Sequence, residues 1–263
     1  MKRVSLYLWR LVLLAAFLAC WQWLPDVSAL RQHVHFLNPF FISSPEQVAK
    51  QMWEFAVPHA GSQAIWPYLW GTMEATLIGF VVGTGLGFIA GLVLSNMPRV
   101  NAVLQIYVVA LNSVPRIALV PVIILIAGPG TASSVLSAVI VVFFITFFSA
   151  FEGGTHVPPA VLSNAVVMKA SPLQIMMYVR MRYVVLWLFA VIPNAVAFSL
   201  IAVVTTEILV GSGGVGAMLL SATSNLQATV TMAVVIFLSI VGVVLLRAAT
   251  FARQRILFWA DEQ

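Results

Sequence analysis

The sequence predicts an all-α, polytopic membrane protein with about six transmembrane helices, and three observations carry that prediction. First, 62% of its 263 residues are hydrophobic and only 8% are charged, against roughly 25% charged in a soluble globular domain. No single core hides that much apolar surface, so a bilayer must act as its solvent. Second, the apolar residues gather into six runs, at 5–24, 72–95, 102–126, 132–151, 183–206 and 228–247, each close to the ~20 residues a helix needs to cross hydrocarbon. Third, Lys and Arg are shared unequally between alternate loops, which is the signature of a fixed orientation in a membrane.

The elements follow in order. The opening "MKRVSLYLWRLVLLAAFLACWQWLP" has an apolar run too long for a signal peptide and no small-residue cleavage site. Phe17 and Leu18 are bulky where a lipoprotein signal before Cys20 wants small residues, so the run reads as an uncleaved first span. Cys20 is the single cysteine; it excludes an internal disulfide and a cysteine-based metal cluster. With the N-terminus in the cytoplasm, that side holds Lys2, Arg3, Arg10, Arg99, Lys169, Arg180, Arg182, Arg247, Arg253 and Arg255, and the other side only Arg31 and Lys50. Both termini are therefore expected in the cytoplasm, including a short tail at 259–263. The net charge of +5 belongs to this asymmetry rather than to a nucleic-acid surface, which needs basic residues clustered on a soluble face.

Residues 1–70 are expected to comprise the first span and an external segment. Within that segment "SSPEQVAKQMWEF" starts a helix, with Ser44 as N-cap, Pro45 at the first position and Glu46 in the first turn. Trp53, Phe55, Trp66, Tyr68 and Trp70 suit a membrane interface. His33, His35 and His59 lack compact ligand spacing and read as loop histidines. A five-span core fills 71–258. Its first helix carries Ala75, Gly79, Gly83, Gly87, Gly91 and Ser95 four residues apart. Such a stripe of small residues permits close helix approach where lipid supplies no hydrophobic force; the pattern leaves open whether the neighbour is in this chain or in another subunit.

The next run contains "NSVPRIALVP". Pro115 and Pro121 each remove a backbone donor and oppose a straight helix. Broken helices at membrane depth are tolerated where they are buried or line a cavity, which makes Asn112 and Arg116 candidates for a solute path; helix–helix hydrogen bonding and snorkelling are the respective alternatives. Glu207 is a third path candidate, followed by "ILVGSGGVGAML", whose glycines 211, 213, 214 and 216 mark an irregular turn. No strand precedes these glycines and no Lys-Ser/Thr follows, so they are not a phosphate loop. Glu152 and His156 have the spacing of an acid–base pair but sit beside two glycines, which favours loop structure over catalysis.

Between the fourth and fifth runs lies "FEGGTHVPPAVLSNAVVMKASPLQIMMYVRMRYV", far more chain than a turn requires. Pro158 and Pro159 suit a helix start. Ser171-Pro172 supplies an N-cap and a first-position proline for a second helix that runs on into the fifth span. Val161, Leu162, Ala165, Val166 and Met168 make the first helix apolar over much of its surface, so it must bury that surface on its own bundle or in a partner.

Over about residues 65–258 the chain resembles the permease subunits of bacterial ATP-binding-cassette importers, the binding-protein-dependent inner-membrane component family, nearest to its nitrate, sulfonate and taurine group. The stretches that carry the resemblance are "PRIALVPVIILIAGPG", "VPPAVLSNAVVMKAS" and "TTEILVGSGGVGAML". The resemblance implies a type I importer permease fold whose loop at 152–182 holds a cytoplasmic coupling helix between spans four and five. It implies docking on an ATPase through Ser163, Asn164, Ala165, Met168, Lys169, Ala170 and Ser171. The family loop begins Glu-Ala-Ala; here Ser163, Asn164 and Ala165 occupy those places. Lys169 stands where the family has Gly, and Arg182 where it has a distal Pro. Further implied are a dimer of ABC ATPases, a second permease subunit of the same or a different sequence, and an external solute-binding protein. The chain has no Walker sequence, so ATP and Mg²⁺ are expected on the partner ATPase and no cofactor in this chain. The expected role is a transport subunit in the bacterial inner membrane, passing a small anion or polar organic solute such as a sulfonate. The alternative is a secondary transporter or channel with no ATPase, but no internal repeat or midplane charge supports it.

Overall fold

The structure is a computed structural model and describes residues 2–23, 43–57, 64–97, 100, 103, 106–107, 110, 114–211 and 213–256. His33, His35, His59, Arg31, Arg99, Asn112, Ser113, other parts of the first half of the third expected span and the tail at 259–263 lie outside these residues, as does the side chain of Arg116.

Every regular element among the described residues is helical: α1 (Lys2–Trp23), α2 (Pro45–Ala56), α3 (Trp66–Ser95), α4 (Val120–Ala127), α5 (Thr131–Thr155), α6 (Pro159–Val167), α7 (Pro172–Val210), α8 (Gly214–Ser224) and α9 (Ala228–Ile256). Four of them, α3, α5, α7 and α9, are long and apolar enough to cross a membrane. They contain the second, fourth, fifth and sixth expected spans and overrun each at one or both ends. α1 accounts for the first. From Pro115 onward the third run is a 3₁₀ turn at Arg116–Leu119 followed by α4, with Pro121 in the helix's first turn, where its missing donor is tolerated.

The described chain forms two compact units. One is Met1–Pro67 with Met218–Ser239. In it α1 contacts α2. The predicted cap of α2 is present, the Ser44 hydroxyl accepting from the Gln47 amide at 3.4 Å. Trp53, Trp66 and Trp70 are exposed, whereas Phe55, expected at the interface, is buried with Val48 and Ile65. The reason is periodicity: Val48 and Phe55 are seven residues apart on α2 and share its inner face.

The other unit is Tyr68–Ala217 with Ile240–Gln263, and its centre is α3, α5 and α7. The small-residue stripe of α3 lies against α5 of the same chain. A Cβ on Gly83 would stand 2.8 Å from the Val139 carbonyl, on Gly87 2.6 Å from that of Phe143, and on Gly91 2.7 Å from that of Phe147. Gly79 meets Ala138 in the same way. Partners at 138, 142, 146 and 150 climb α5 with the same period of four, so two backbones lie in contact over three turns. The neighbour left open by the sequence is therefore internal. Hydroxyls bridge the three helices: Ser199 donates to the Thr76 carbonyl at 2.8 Å, Ser149 to that of Trp187 at 2.7 Å, and Thr146 to that of Gly83 at 3.3 Å. In hydrocarbon such bonds add to packing that carries no hydrophobic gain of its own.

Candidate functional site: a helical corner and two charged clasps

The loop after α5 folds as the sequence predicts, a helix, a corner and a second helix. α6 begins at Pro159 and ends in a Schellman motif. The Ala170 amide donates to the Ala165 carbonyl at 3.0 Å and the Lys169 amide to that of Val166 at 2.9 Å. That geometry needs a left-handed residue at the position after the cap, and Lys169 supplies it with φ 58°. The family glycine expected at this position now has a physical reason, since only glycine enters that conformation without cost. Lys169 accepts the strain; its ammonium lies beyond a helix C-terminus, where positive charge is favoured.

Ser171 then starts α7 with a full capping box. Its hydroxyl accepts from the Gln174 amide at 3.3 Å, and the Gln174 side chain accepts from the Ser171 amide at 2.7 Å. The first turns of α7 widen into a π stretch at Ile175–Arg180 before α geometry resumes at Met181. Of the expected docking residues, Ser163, Asn164, Met168, Lys169 and Ser171 are exposed, while Ala165 and Ala170 are half-buried. No residue of α6 is buried. Val166, Val167 and Met168 stand 63%, 80% and 82% exposed, and Leu173 and Tyr178 on α7 are exposed beside them in sequence. A greasy surface that the described residues leave open, on a corner fixed by two capping motifs, has the form of a preformed docking face.

Arg180 ties this corner to the bundle. Its Nη1 donates to the Ser95 carbonyl at 2.8 Å and to the Gly154 carbonyl at 2.5 Å. These carbonyls belong to the last turns of α3 and α5, which lack partners within their own helices. A cation at two helix C-termini also meets the negative ends of two helix dipoles. The surroundings are dense: a Cβ on Gly153 would stand 2.9 Å from Trp187 Cβ, and Leu92, Ala150 and Val184 form a buried cluster. His156 places its Nδ1 2.8 Å from the backbone carbonyl of Glu152, not its carboxylate, and stacks on Trp187. The candidate acid–base pair is thus a helix-end contact.

At the far end of α7 Glu207 is buried at 4% exposure. Thr72 Oγ1 lies 2.9 Å from both of its carboxylate oxygens, and the Gly216 amide donates to Oε2 at 2.9 Å. The Val215 amide in turn donates to Thr72 Oγ1 at 2.8 Å. Gly211, left-handed at φ 70°, ends α7 and lets α8 begin against this carboxylate. A Cβ on Gly214 would clash with Glu207 itself. The expected path residue Glu207 is thus bonded within its own chain, its carboxyl group held at the start of α8 by the buried Gly216 amide and by Thr72. Sequence reading missed Thr72, whose partner is 135 residues away, and it counted Arg180 only as an orienting charge. It also treated Gly153 and Gly154 as loop residues, though they are packing positions in the last turn of α5.

Known proteins are similar to this chain. The family described as binding-protein-dependent transport system inner membrane component matches residues 83–257. A "Probable ABC transporter permease protein" of Haemophilus influenzae is 25% identical over 228 residues, 87% of this chain and 88% of that one. The taurine transport system permease protein TauC of Escherichia coli is 22% identical over 230 residues, covering 87% and 84%. The riboflavin transport system permease protein RibX of Chloroflexus aurantiacus is 24% identical over 180 residues, covering 68% and 66%.

Proposed function

The chain belongs to the binding-protein-dependent transport system inner membrane component family, and from that premise we propose that it is the membrane-spanning subunit of an ATP-driven importer whose corner at 163–171 docks on a cytoplasmic ATPase. Permease character, multiple apolar spans and an inner-membrane location come with the family. ATPase coupling, the side on which the corner lies and the substrate are this proposal's own content.

The observation that carries it is the exposed apolar corner of Val166, Val167 and Met168 next to Lys169. Water does not favour that surface, and its position directly before a helix that runs the length of the bundle suits a contact that transmits force. Two cytoplasmic ATPases closing on ATP and Mg²⁺ would press on two such corners, one in this chain and one in a second permease subunit of the same or another sequence. The packed bundles then rock between outward and inward access. Ten Lys and Arg on the corner's side, against two opposite, support a cytoplasmic corner and cytoplasmic termini. An external solute-binding protein delivers the substrate. Two of the relatives are named for taurine and riboflavin, which supports a small polar organic solute, with an anion such as a sulfonate favoured by Arg116. Asn112 and Arg116 are the proposed path residues of this chain, and Glu207 contributes by anchoring α8.

The test is reconstitution into liposomes with ABC ATPases and solute-binding proteins of the cell that makes this chain. Uptake of taurine or another organosulfonate is expected to require ATP and the soluble binding protein together. Uptake driven by an ion gradient alone, with neither component, would contradict the proposal and favour a secondary transporter.

A further inference from the structure

We infer that Arg180 is the positioning residue through which movement of the docking corner reaches the bundle. The inference rests on the reading of residues 163–171 as an ATPase-docking surface and adds the route by which docking is felt.

Four observations converge on it. The corner is stiff, since a Schellman motif and a capping box fix both sides of Lys169–Ser171. α6 contacts the π stretch at Ile175–Arg180, so the corner and the start of α7 form one piece. Arg180 closes that stretch and holds the final turns of α3 and α5 with one guanidinium nitrogen, at Ser95 and Gly154. Finally, α3 and α5 are joined backbone to backbone along Gly79, Gly83, Gly87 and Gly91, so whatever moves their ends moves both helices. A π stretch inside an α-helix is a frequent mark of functional sites; here it sits between the corner and the grip.

The chemistry of the grip suits a contact that holds throughout the cycle, so that corner and bundle travel together. No Asp or Glu occurs from Gly153 to Thr206, and the partners of Arg180 are neutral carbonyls. Arg180 is half-buried, so its removal frees two carbonyls that water can reach and strands no unpaired charge, as breaking a buried ion pair would. Arginine suits the task because the two N–H bonds of Nη1 lie in the guanidinium plane and point in fixed directions, whereas a lysine ammonium rotates freely on a shorter stem.

The experiment uses the full transporter, purified through a tag on this chain with its ATPase, in a Cys20→Ser background. Spin labels are placed at Ala160→Cys on α6 and Leu86→Cys on the exposed face of α3, and their separation is measured without nucleotide and with ATP, Mg²⁺ and vanadate. With Arg180 present the separation is expected to stay constant, because corner and bundle move together. In Arg180→Met the ATPase is expected to co-purify as before, while the separation shifts by several ångströms on adding nucleotide. Arg180→Lys, whose ammonium can donate to both carbonyls but sits on a shorter stem, is expected to fall between and serves alone if Arg180→Met does not accumulate. A constant separation in these variants, with ATPase still bound, overturns the inference and leaves ATPase docking intact. So does a nucleotide-dependent separation in the Arg180 protein. If no ATPase co-purifies with the Arg180 protein, the docking reading fails and takes this inference with it.

Discussion

The two ends of α7 solve one problem with opposite charges. At one end Glu207 sits where α8 begins and takes hydrogen bonds from Thr72 and the Gly216 amide. At the other Arg180 sits where α3 and α5 finish and gives hydrogen bonds to Ser95 and Gly154. A carboxyl group meets helix N-terminal donors and a cation meets helix C-terminal acceptors, each without a partner of opposite charge among the described residues. The difference lies in what each can release. Glu207 is buried and bonded to Thr72 and to the Gly216 amide, which is only nine residues beyond it in sequence. Arg180 is half-buried, reaches two helices remote in sequence, and follows directly on an exposed corner. The first end is built as an anchor and the second as a coupling.

That contrast is open to attack by substitution, beginning where the expected effect is largest. Gly91→Val would drive a branched side chain into the Phe147 carbonyl and Ala150 and part α3 from α5. A loss of about 3 kcal/mol or more is expected, because the obstacle is backbone that cannot repack, read as a collapse of thermal stability in detergent. Glu207→Ala leaves the buried Gly216 amide without its acceptor and Thr72 with only the Tyr68 carbonyl at 3.2 Å, and should cost about 2–3 kcal/mol; Glu207→Gln, which retains one acceptor oxygen, should cost less. Arg180→Met should cost only about 1–2 kcal/mol in the same assay, since water reaches the freed carbonyls. If it destabilises more than Glu207→Ala, the division into anchor and coupling is wrong. Lys169→Gly should raise stability by up to about 1 kcal/mol by relieving a left-handed side chain, and a loss in the same assay would show that the lysine side chain supports the corner.

The smallest effect is expected outside both ends. Lys50 and Glu46 form an exposed ion pair at 2.7 Å. Hydrogen bonding to Lys50 holds the Glu46 carboxyl below its usual range, and the same bond raises Lys50. The carboxylate's contribution is therefore present above its unfolded pKa and fades as pH falls through the lower folded value. That of the ammonium is present below its unfolded pKa and fades as pH rises through the higher folded one. Both groups are solvated, so Lys50→Ala should leave thermal stability unchanged at neutral pH; a clear loss would mean that α2 is held by more than Val48 and Phe55.

Much of this was legible in the sequence for identifiable reasons. Spans are visible because a bilayer demands unbroken apolar length, and the caps at Ser44 and Ser171 because N-caps use few residue types in fixed order. The stripe from Ala75 to Ser95 announced close packing, though α5 shows its matching surface as the mixed set Ala138, Val142, Thr146 and Ala150, which no single-residue pattern flags. Long-range pairs were hidden. Nothing local links Thr72 to Glu207 or Arg180 to Ser95, and the backbone carbonyls that bind Arg180 leave no mark on sequence at all. Lys169 illustrates a middle case: its departure from the family glycine was visible, while its meaning needed the φ angle.

The docking claim is tested most directly at Met168. A photo-reactive amino acid placed there, in membranes of the cell that makes the protein, should form a covalent adduct with an ABC ATPase, and its yield should change with ATP. Adducts with lipid or with this chain alone, in membranes that contain the ATPase and with every nucleotide tried, would show that the exposed corner is not where the motor binds.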